Sequence, residues 1–191
     1  MRTAQAGSSG TQQTPTKEAN DMTNESTSKQ RMHKTSVGIE LKEREELVTL
    51  LNAQLADTSD LYSQTKQAHW NVKGIDFMQL HLLFDQLAEG VFPFVDMIAE
   101  RITALGGTAY GTVRMASASS SLKEYPVDAI QGEAHLKNLI ERYSAYGSSS
   151  RASIETSNDK YGDQATADLF TEITRQIDQY LYFLESHLQT K

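Results

Sequence analysis

Residues 77–105, FMQLHLLFDQLAEGVFPFVDMIAERITAL, form the stretch that decides the fold class. Apolar side chains recur in it every three or four residues, which is the period of an amphipathic α-helix. They are Leu80, Leu83, Phe84, Leu87, Val91, Phe94, Val95 and Ile98. Asp76 and Gln79 resemble a capping box at its beginning, and Gly106 and Gly107 end it.

Three further helices are predicted on either side of this one by the same period. The first covers residues 39–68, the third runs from Pro126 to about Ile154, and the fourth begins at Asp163, which can cap it. The connection over residues 108–126 is rich in Ser, Ala and Thr and has room for a short helix. A link of that length suits a crossover along a bundle. The sequence therefore predicts an all-α four-helix bundle with a long crossover connection.

Residues 1–36 differ in composition from the rest of the chain, because they contain almost no large apolar side chains. We expect a disordered tail there and a folded domain over residues 37–191. Five basic and three acidic residues give the tail a charge of +2, and the chain total of −7 leaves −9 for the domain. An acidic domain attracts cations, whereas a flexible basic arm can contact phosphate.

Several classes of protein are excluded by what the sequence lacks. No run of about 18 apolar residues is present, so no membrane helix is predicted. No apolar segment follows Arg2, which argues against a secretory signal and favours the cytoplasm. Cysteine is absent, so disulfides, thiolate metal sites and cysteine nucleophiles are excluded.

Two pairs of candidate metal ligands lie on the second helix. His81 and Asp85 are four residues apart, as are Asp96 and Glu100, so each pair shares one helix face. His69 lies shortly before the helix. Imidazole and carboxylate ligands without sulfur suit iron, manganese or zinc. A solvated charged face is the alternative interpretation of either pair taken alone.

The spacing of the two pairs argues for a site shared by two chains. Asp85 and Asp96 lie eleven residues apart, which is about 16 Å along a straight helix. Ligands of one ion must be much closer than that, so the pairs cannot meet within one chain. The midpoint between Asp85 and Asp96 in the sequence is position 90.5, and the midpoint between His81 and Glu100 is the same. Two antiparallel copies crossing near Gly90, which has no side chain to obstruct them, would form two identical sites about a two-fold axis.

Five sequence motifs resemble those of the Dps family, and the similarity covers residues 37–188. The motifs are AHWNVKG at 68–74, FxxLHxxFD at 77–85, DxxAER at 96–101, LGGxAxGT at 105–112 and YP at 125–126. Pro93 departs from the family's second helix, and because proline removes a helical hydrogen bond we expect a bend there.

The resemblance implies a ferritin-like four-helix bundle with a short extra helix in the long connection, assembled as a hollow dodecamer. It implies ferroxidase centres at the two-fold interfaces, which oxidise ferrous iron with hydrogen peroxide, store ferric mineral in the shell and protect DNA. Zinc is an expected substitute for iron at these centres. The implied ligands are His69, His81 and Asp85 of one subunit, with Asp96 and Glu100 of its partner.

Two residues beside the ligands and three near the last helix carry further expectations. Trp70 is expected near the centre, where it could quench radicals, or else in the core. Arg101 is expected to pair with a carboxylate or simply to pack. In similar proteins acidic residues at the start of the last helix line a three-fold pore, a role here for Asp159, Asp163 and Asp168; helix capping is the alternative for Asp163.

Two rival functions remain at this stage. One is a nucleoid-associated protein that binds DNA weakly and non-specifically through its tail, with iron chemistry secondary. The basic tail residues that support it are Lys17, Lys29, Arg31 and Lys34. The other rival is a purely structural helical oligomer, which would leave the ligand pattern of the second helix unexplained.

Overall fold

The computed structural model describes residues 30–189 and shows four long helices in a bundle. The helices are α1 (Leu41–Asn71), α2 (Phe77–Ala104), the short α3 (Val113–Ser119), α4 (Gly132–Glu155) and α5 (Gln164–Ser186). A π-helical turn, Thr156–Lys160, continues α4. Between residues 30 and 189 the only β-type pairing is an isolated bridge from Lys73 to Gln131. The predicted all-α bundle with a crossover that carries a short helix is confirmed.

The core lies between two helix pairs, α1 with α2 and α4 with α5. Their inward faces supply a continuous set of buried side chains, which includes Leu51 of α1, Phe84 of α2, Leu139 of α4 and Phe170 of α5. Burying each such side chain contributes about 1.5–3 kcal/mol to folding. None of the helices within residues 30–189 is long and apolar enough to cross a membrane.

The crossover between α2 and α4 is attached to α1 by buried polar side chains. The carboxylate of Asp57 accepts hydrogen bonds from the backbone N–H of Ser121 at 2.6 Å and from the hydroxyl groups of Ser120 and Ser121. From α4, the buried guanidinium of Arg142 donates to the backbone carbonyl of Glu124 at 2.6 Å. These contacts hold the connection against α1 and α4.

One predicted helix beginning and one predicted helix cap are wrong. The third long helix begins at Gly132 instead of Pro126, because residues 126–131 form a turn and an extended segment. The backbone N–H of Lys73 donates to the carbonyl of Ile130 at 2.9 Å in that segment. At the start of α2, Asp76 makes no capping hydrogen bond, since its backbone (φ −94°, ψ 17°) lacks the extended geometry of a capping residue.

Residues just before the predicted boundary at residue 37 already contact the helix bundle. The backbone N–H of His33 donates to the carbonyl of Gly106 at 2.6 Å, and the hydroxyl of Thr35 contacts the carbonyl of Ala104. These carbonyls lie at the end of α2, where a helix leaves acceptors without partners. Gly106 has φ +86°, and a Cβ there would lie 2.5 Å from the His33 carbonyl oxygen. Residues 1–29 of the predicted tail lie outside the described residues.

Candidate metal centre

The candidate centre contains two histidines, His69 from the last turn of α1 and His81 from the start of α2. The Nδ1 atom of His69 lies 2.7 Å from the carbonyl oxygen of His81, and Nδ1 of His81 lies 2.9 Å from that of His69. Their rings stack at 3.8 Å. Because a carbonyl only accepts hydrogen bonds, both Nδ1 atoms carry protons. In the neutral ring this tautomer leaves the lone pair on Nε2, which is the nitrogen that can bind a metal.

Asp85 lies one turn after His81. Together with His69 and His81 it forms what we call the half-site of this chain. Its Oδ1 atom accepts a hydrogen bond from the ammonium of Lys66 at 2.5 Å and lies 3.8 Å from Nδ1 of His69. The hydrogen bond from Lys66 is the main reason why the pKa of Asp85 is below its ordinary value. The carboxylate is thus ionised at neutral pH, and a cation already lies against it.

Lys66 was missed by the sequence reasoning. It lies three residues before His69 on α1, so the two side chains share one helix face. That spacing is the one signal in the sequence that could have identified it.

The second ligand pair lies apart from the first. Asp96 and Glu100 are exposed on the outer face of α2, and Asp96 is about 16 Å from Asp85 along the helix axis. No three His, Asp or Glu side chains between residues 30 and 189 are arranged to hold one ion. The chain thus places His69, His81 and Asp85 next to one another without completing a metal site, and it leaves the other pair facing outward.

An apolar surface adjoins the half-site. Trp70, Leu82 and Phe92 are 61%, 59% and 57% exposed, respectively. Trp70 and Phe92 line a groove of about 690 Å³ together with Lys66 and Val113. Exposed apolar patches of this kind mark surfaces that another molecule covers. Trp70 lies beside the candidate ligands, with the Lys66 ammonium 5.9 Å from its ring, and the alternative placement in the core is wrong.

Arg101 pairs with a carboxylate, although the carboxylate is not a candidate ligand. Its guanidinium donates to both oxygens of Asp163 at 2.7 Å and to the hydroxyl of Thr166 at 2.8 Å. Asp163 also caps α5 by accepting from the backbone N–H of Thr166, which confirms the predicted cap. Burial raises the pKa of Asp163, but the hydrogen bonds from Arg101 and Thr166 outweigh it and lower the pKa overall.

The three acidic residues suggested for a pore have different environments. Asp163 is 3% exposed and engaged by Arg101, so its carboxylate faces the inside of the subunit. Asp159 and Asp168 are exposed. A pore lining remains a proposal for these two side chains.

The absence of a side chain at Gly90 has a different cause from the one inferred. A Cβ there would lie 1.7 Å from the hydroxyl oxygen of Tyr180 on α5, so the glycine allows close packing of α2 and α5 within one chain. The shared midpoint of the ligand pairs does not depend on it. Pro93 lies inside α2, which continues from Phe77 to Ala104; the bend expected there stays a prediction.

Comparison with known proteins agrees with this arrangement of helices. Residues 48–191 match the Ferritin-like domain family. The DNA protection during starvation protein of Agrobacterium fabrum is 42% identical over 159 residues, which span 83% of this chain and 98% of that protein.

Solved structures give the same result. DpsA14 from Streptomyces coelicolor superposes with a TM-score of 0.80 at 32% identity, covering 85% of this chain and 95% of that one. The Dps homologue of Halobacterium salinarum gives 0.79 at 27% identity, covering 91% and 96%. From its helices, its sequence and these similarities, the chain belongs to the Dps family of ferritin-like proteins.

Proposed function

We propose that the protein is an iron-oxidising and iron-storing mini-ferritin with catalytic centres shared between subunits. The observation that carries this proposal is the half-site itself. Two imidazoles whose Nδ1 atoms contact backbone carbonyls, so that Nε2 is the nitrogen available to a metal, lie beside the ionised Asp85, while the complementary acidic pair faces outward about 16 Å away on the same helix. A second copy of α2, antiparallel about a two-fold axis, supplies the missing carboxylates to each half-site.

The proposed partner is a second copy of this chain, and the proposed particle is a hollow dodecamer. The groove beside Trp70 and Phe92 lies next to the half-site, so a subunit that covers the groove also completes the ligand set. Covering these side chains removes apolar surface from water, which favours association. Light scattering of the purified protein should show a closed particle near twelve subunits, and a monomer under all conditions would contradict both the shell and the shared site.

The proposed reaction uses iron as substrate and hydrogen peroxide as oxidant. Two ferrous ions each give up one electron, the O–O bond of peroxide breaks, and its oxygens leave as water or hydroxide. Delivery of both electrons together avoids the hydroxyl radical that one-electron reduction would release. Histidine and carboxylate ligands suit this ion, and zinc would occupy the same ligands without redox chemistry. The acidic domain attracts the incoming cations, with Asp159 and Asp168 as the proposed entrance.

Two single substitutions test the proposal. Asp85→Ala and Glu100→Ala should each greatly slow peroxide-driven oxidation of ferrous iron, because each leaves the ion short of a ligand. Asp178→Ala is the matched control, since this exposed carboxylate pairs with Arg151 away from the centre. Stopped-flow absorbance reports the rate, and light scattering confirms assembly. Wild-type rates in assembled Asp85→Ala or Glu100→Ala particles would overturn the assignment.

DNA protection is a second part of the proposal, and it is supported by the names of the relatives. We expect weak, salt-sensitive DNA contact through the basic residues near the N-terminus. A truncation that tests it should begin at residue 30 instead of residue 37, because His33 and Thr35 contact the end of α2. This truncation removes Lys17 and Lys29 and should weaken the gel shift. Equal binding would show that the removed residues make no contact with DNA.

A further inference from the structure

A buried tyrosine and histidine form a hydrogen-bonded pair behind the candidate metal centre. The hydroxyl oxygen of Tyr125 lies 2.6 Å from Nδ1 of His135, and the planes of the two rings are nearly parallel, at 17°. His135 has no exposed surface, and Tyr125 is 8% exposed. The iron chemistry proposed above makes no use of either side chain.

The surroundings of the pair favour transfer of the phenol proton from Tyr125 to His135. Burial lowers the pKa of His135, and the charge of Lys73 adds to this, although the backbone carbonyls of Asn71, Ala129 and Ile130 raise it. Burial also raises the pKa of Tyr125. The resting pair is therefore a neutral imidazole beside a protonated phenol, with carbonyl groups placed to stabilise an imidazolium. Within residues 30–189, the Tyr125 hydroxyl is the one side-chain group that is hydrogen-bonded to His135.

The pair adjoins both segments that carry candidate ligands. The ring of His135 lies 6.3 Å from that of Phe84, the residue before Asp85. The carbonyl of Asn71, which affects His135, lies two residues after His69. An electron that leaves Tyr125 for the centre therefore has a path through packed side chains and a short length of backbone.

No other tyrosine in residues 30–189 is hydrogen-bonded to an imidazole. The buried hydroxyls of Tyr143 and Tyr146 contact threonine hydroxyls, which are not bases. Tyr161 donates to the carboxylate of Glu46 at 2.5 Å, but that contact is at the surface, where Glu46 belongs to the first turns of α1. A phenol loses an electron far more easily when its proton passes to a base at the same time, and Tyr125 combines this condition with burial.

We propose that Tyr125 and His135 form a redox-active pair that reduces hydroxyl radical when a centre holding a single ferrous ion reduces peroxide by one electron. The proposal rests on the iron oxidation described above. The hydroxyl radical gains an electron and becomes hydroxide. Tyr125 loses that electron and becomes a phenoxyl radical, while its proton moves to Nδ1 of His135.

Ferrous iron then returns the pair to its reduced state. A second ferrous ion gives one electron to the phenoxyl radical and becomes ferric, and the imidazolium of His135 returns the proton. The net result is two ferrous ions oxidised and one peroxide consumed, which equals the two-electron reaction. The pair thus converts an accidental one-electron step into the same products without release of a radical.

Freeze-quench electron paramagnetic resonance of the full-length, assembled protein tests the proposal. Ferrous iron is loaded below one ion per centre and mixed with hydrogen peroxide. The wild type should give a tyrosyl signal that narrows when tyrosine is ring-deuterated. Tyr125→Phe should lose most of this signal and release more hydroxyl radical to a spin trap. Tyr161→Phe is the matched control and should retain the signal.

Two further variants separate the base from the phenol and guard against a folding defect. His135→Asn keeps a hydrogen-bond acceptor near Tyr125 but no base, so the signal should fall while the rate of iron oxidation is retained. Site-specific 3,5-difluorotyrosine at position 125 keeps the phenol, and fluorine splitting in the signal would assign the radical to this position. A tyrosyl signal without fluorine splitting, or one unchanged in Tyr125→Phe, would overturn the pair.

A second way of generating the oxidant distinguishes failure of this pair from failure of the proposed function. Azide radicals produced by pulse radiolysis oxidise tyrosines without iron, and the oxidation should settle on Tyr125 in the wild type. If ferrous iron is not oxidised by peroxide, the proposed function fails. If iron is oxidised and no Tyr125 radical forms by either route, the redox pair alone is refuted.

Discussion

Replacing Lys66 with methionine tests whether the ammonium group of Lys66 competes with a metal ion for the carboxylate of Asp85. Methionine keeps most of the aliphatic stem and removes the ammonium that lies 2.5 Å from Oδ1 of Asp85. The Lys66→Met variant should bind ferrous iron or zinc more tightly than the wild type.

The magnitude follows from two contributions. Asp85 must first leave its ion pair with Lys66, which costs about 0.2–1 kcal/mol for a partly exposed pair. A doubly charged ion on Asp85 is also repelled by the ammonium, by about 2 kcal/mol at 4 Å in a water-like dielectric. Because the lysine can swing away, only part of that repulsion persists. A total of about 1–2 kcal/mol corresponds to roughly 5–30-fold tighter binding.

Anaerobic isothermal titration calorimetry of assembled particles measures this difference, with zinc as a redox-inert probe. Lys137→Met is the matched control, because this lysine pairs with Glu133 on an exposed face of α4. The control should bind as the wild type does. Unchanged or weaker binding by Lys66→Met would refute the view that Lys66 competes with the metal for Asp85.

Three stability predictions follow from the packing. Gly90→Ala should destabilise the fold by about 1–2 kcal/mol in thermal or denaturant unfolding, with partial rescue by Tyr180→Phe, because overpacking exceeds the helix-propensity gain. Asp163→Asn should cost roughly 2–3 kcal/mol, below the range for fully buried pairs since Arg101 is partly exposed. The lowered pKa of Asp163 stabilises the fold above about pH 4, the pKa of an unfolded Asp. That advantage disappears as pH falls through the folded pKa, so the gap between wild type and variant should narrow in acid. Gly106→Ala should lower the melting temperature through its positive φ and its contact with His33.

Periodic features were predictable from the sequence because they are local. The apolar spacing along α2 is repeated in α1, α4 and α5, and it was sufficient for a four-helix bundle. The cap at Asp163 was also predictable, since a capping residue acts on a backbone N–H only three positions away. The separation of the two candidate ligand pairs followed from the rise of the α-helix alone.

The features that escaped prediction depend on contacts between distant segments. Pro126 is a typical first residue of a helix, yet the extended segment after it pairs with Lys73, more than fifty positions earlier. The need for glycine at position 90 arises from Tyr180 on another helix. In the same way, the engagement of Asp85 by Lys66 requires α1 and α2 to be packed together.

A mixed particle tests the shared centre most directly. One variant lacks His81 and Asp85, and the other lacks Asp96 and Glu100, so each should be inactive alone. In a two-fold pair that contains one of each, one site loses all four of these ligands and the other keeps them all. Random co-assembly in equal amounts should therefore restore about a quarter of the wild-type sites, because half of the pairs are mixed. Activity near that level, in particles shown by mass spectrometry to contain both chains, is the predicted result, and no recovery in such particles would contradict the shared centre.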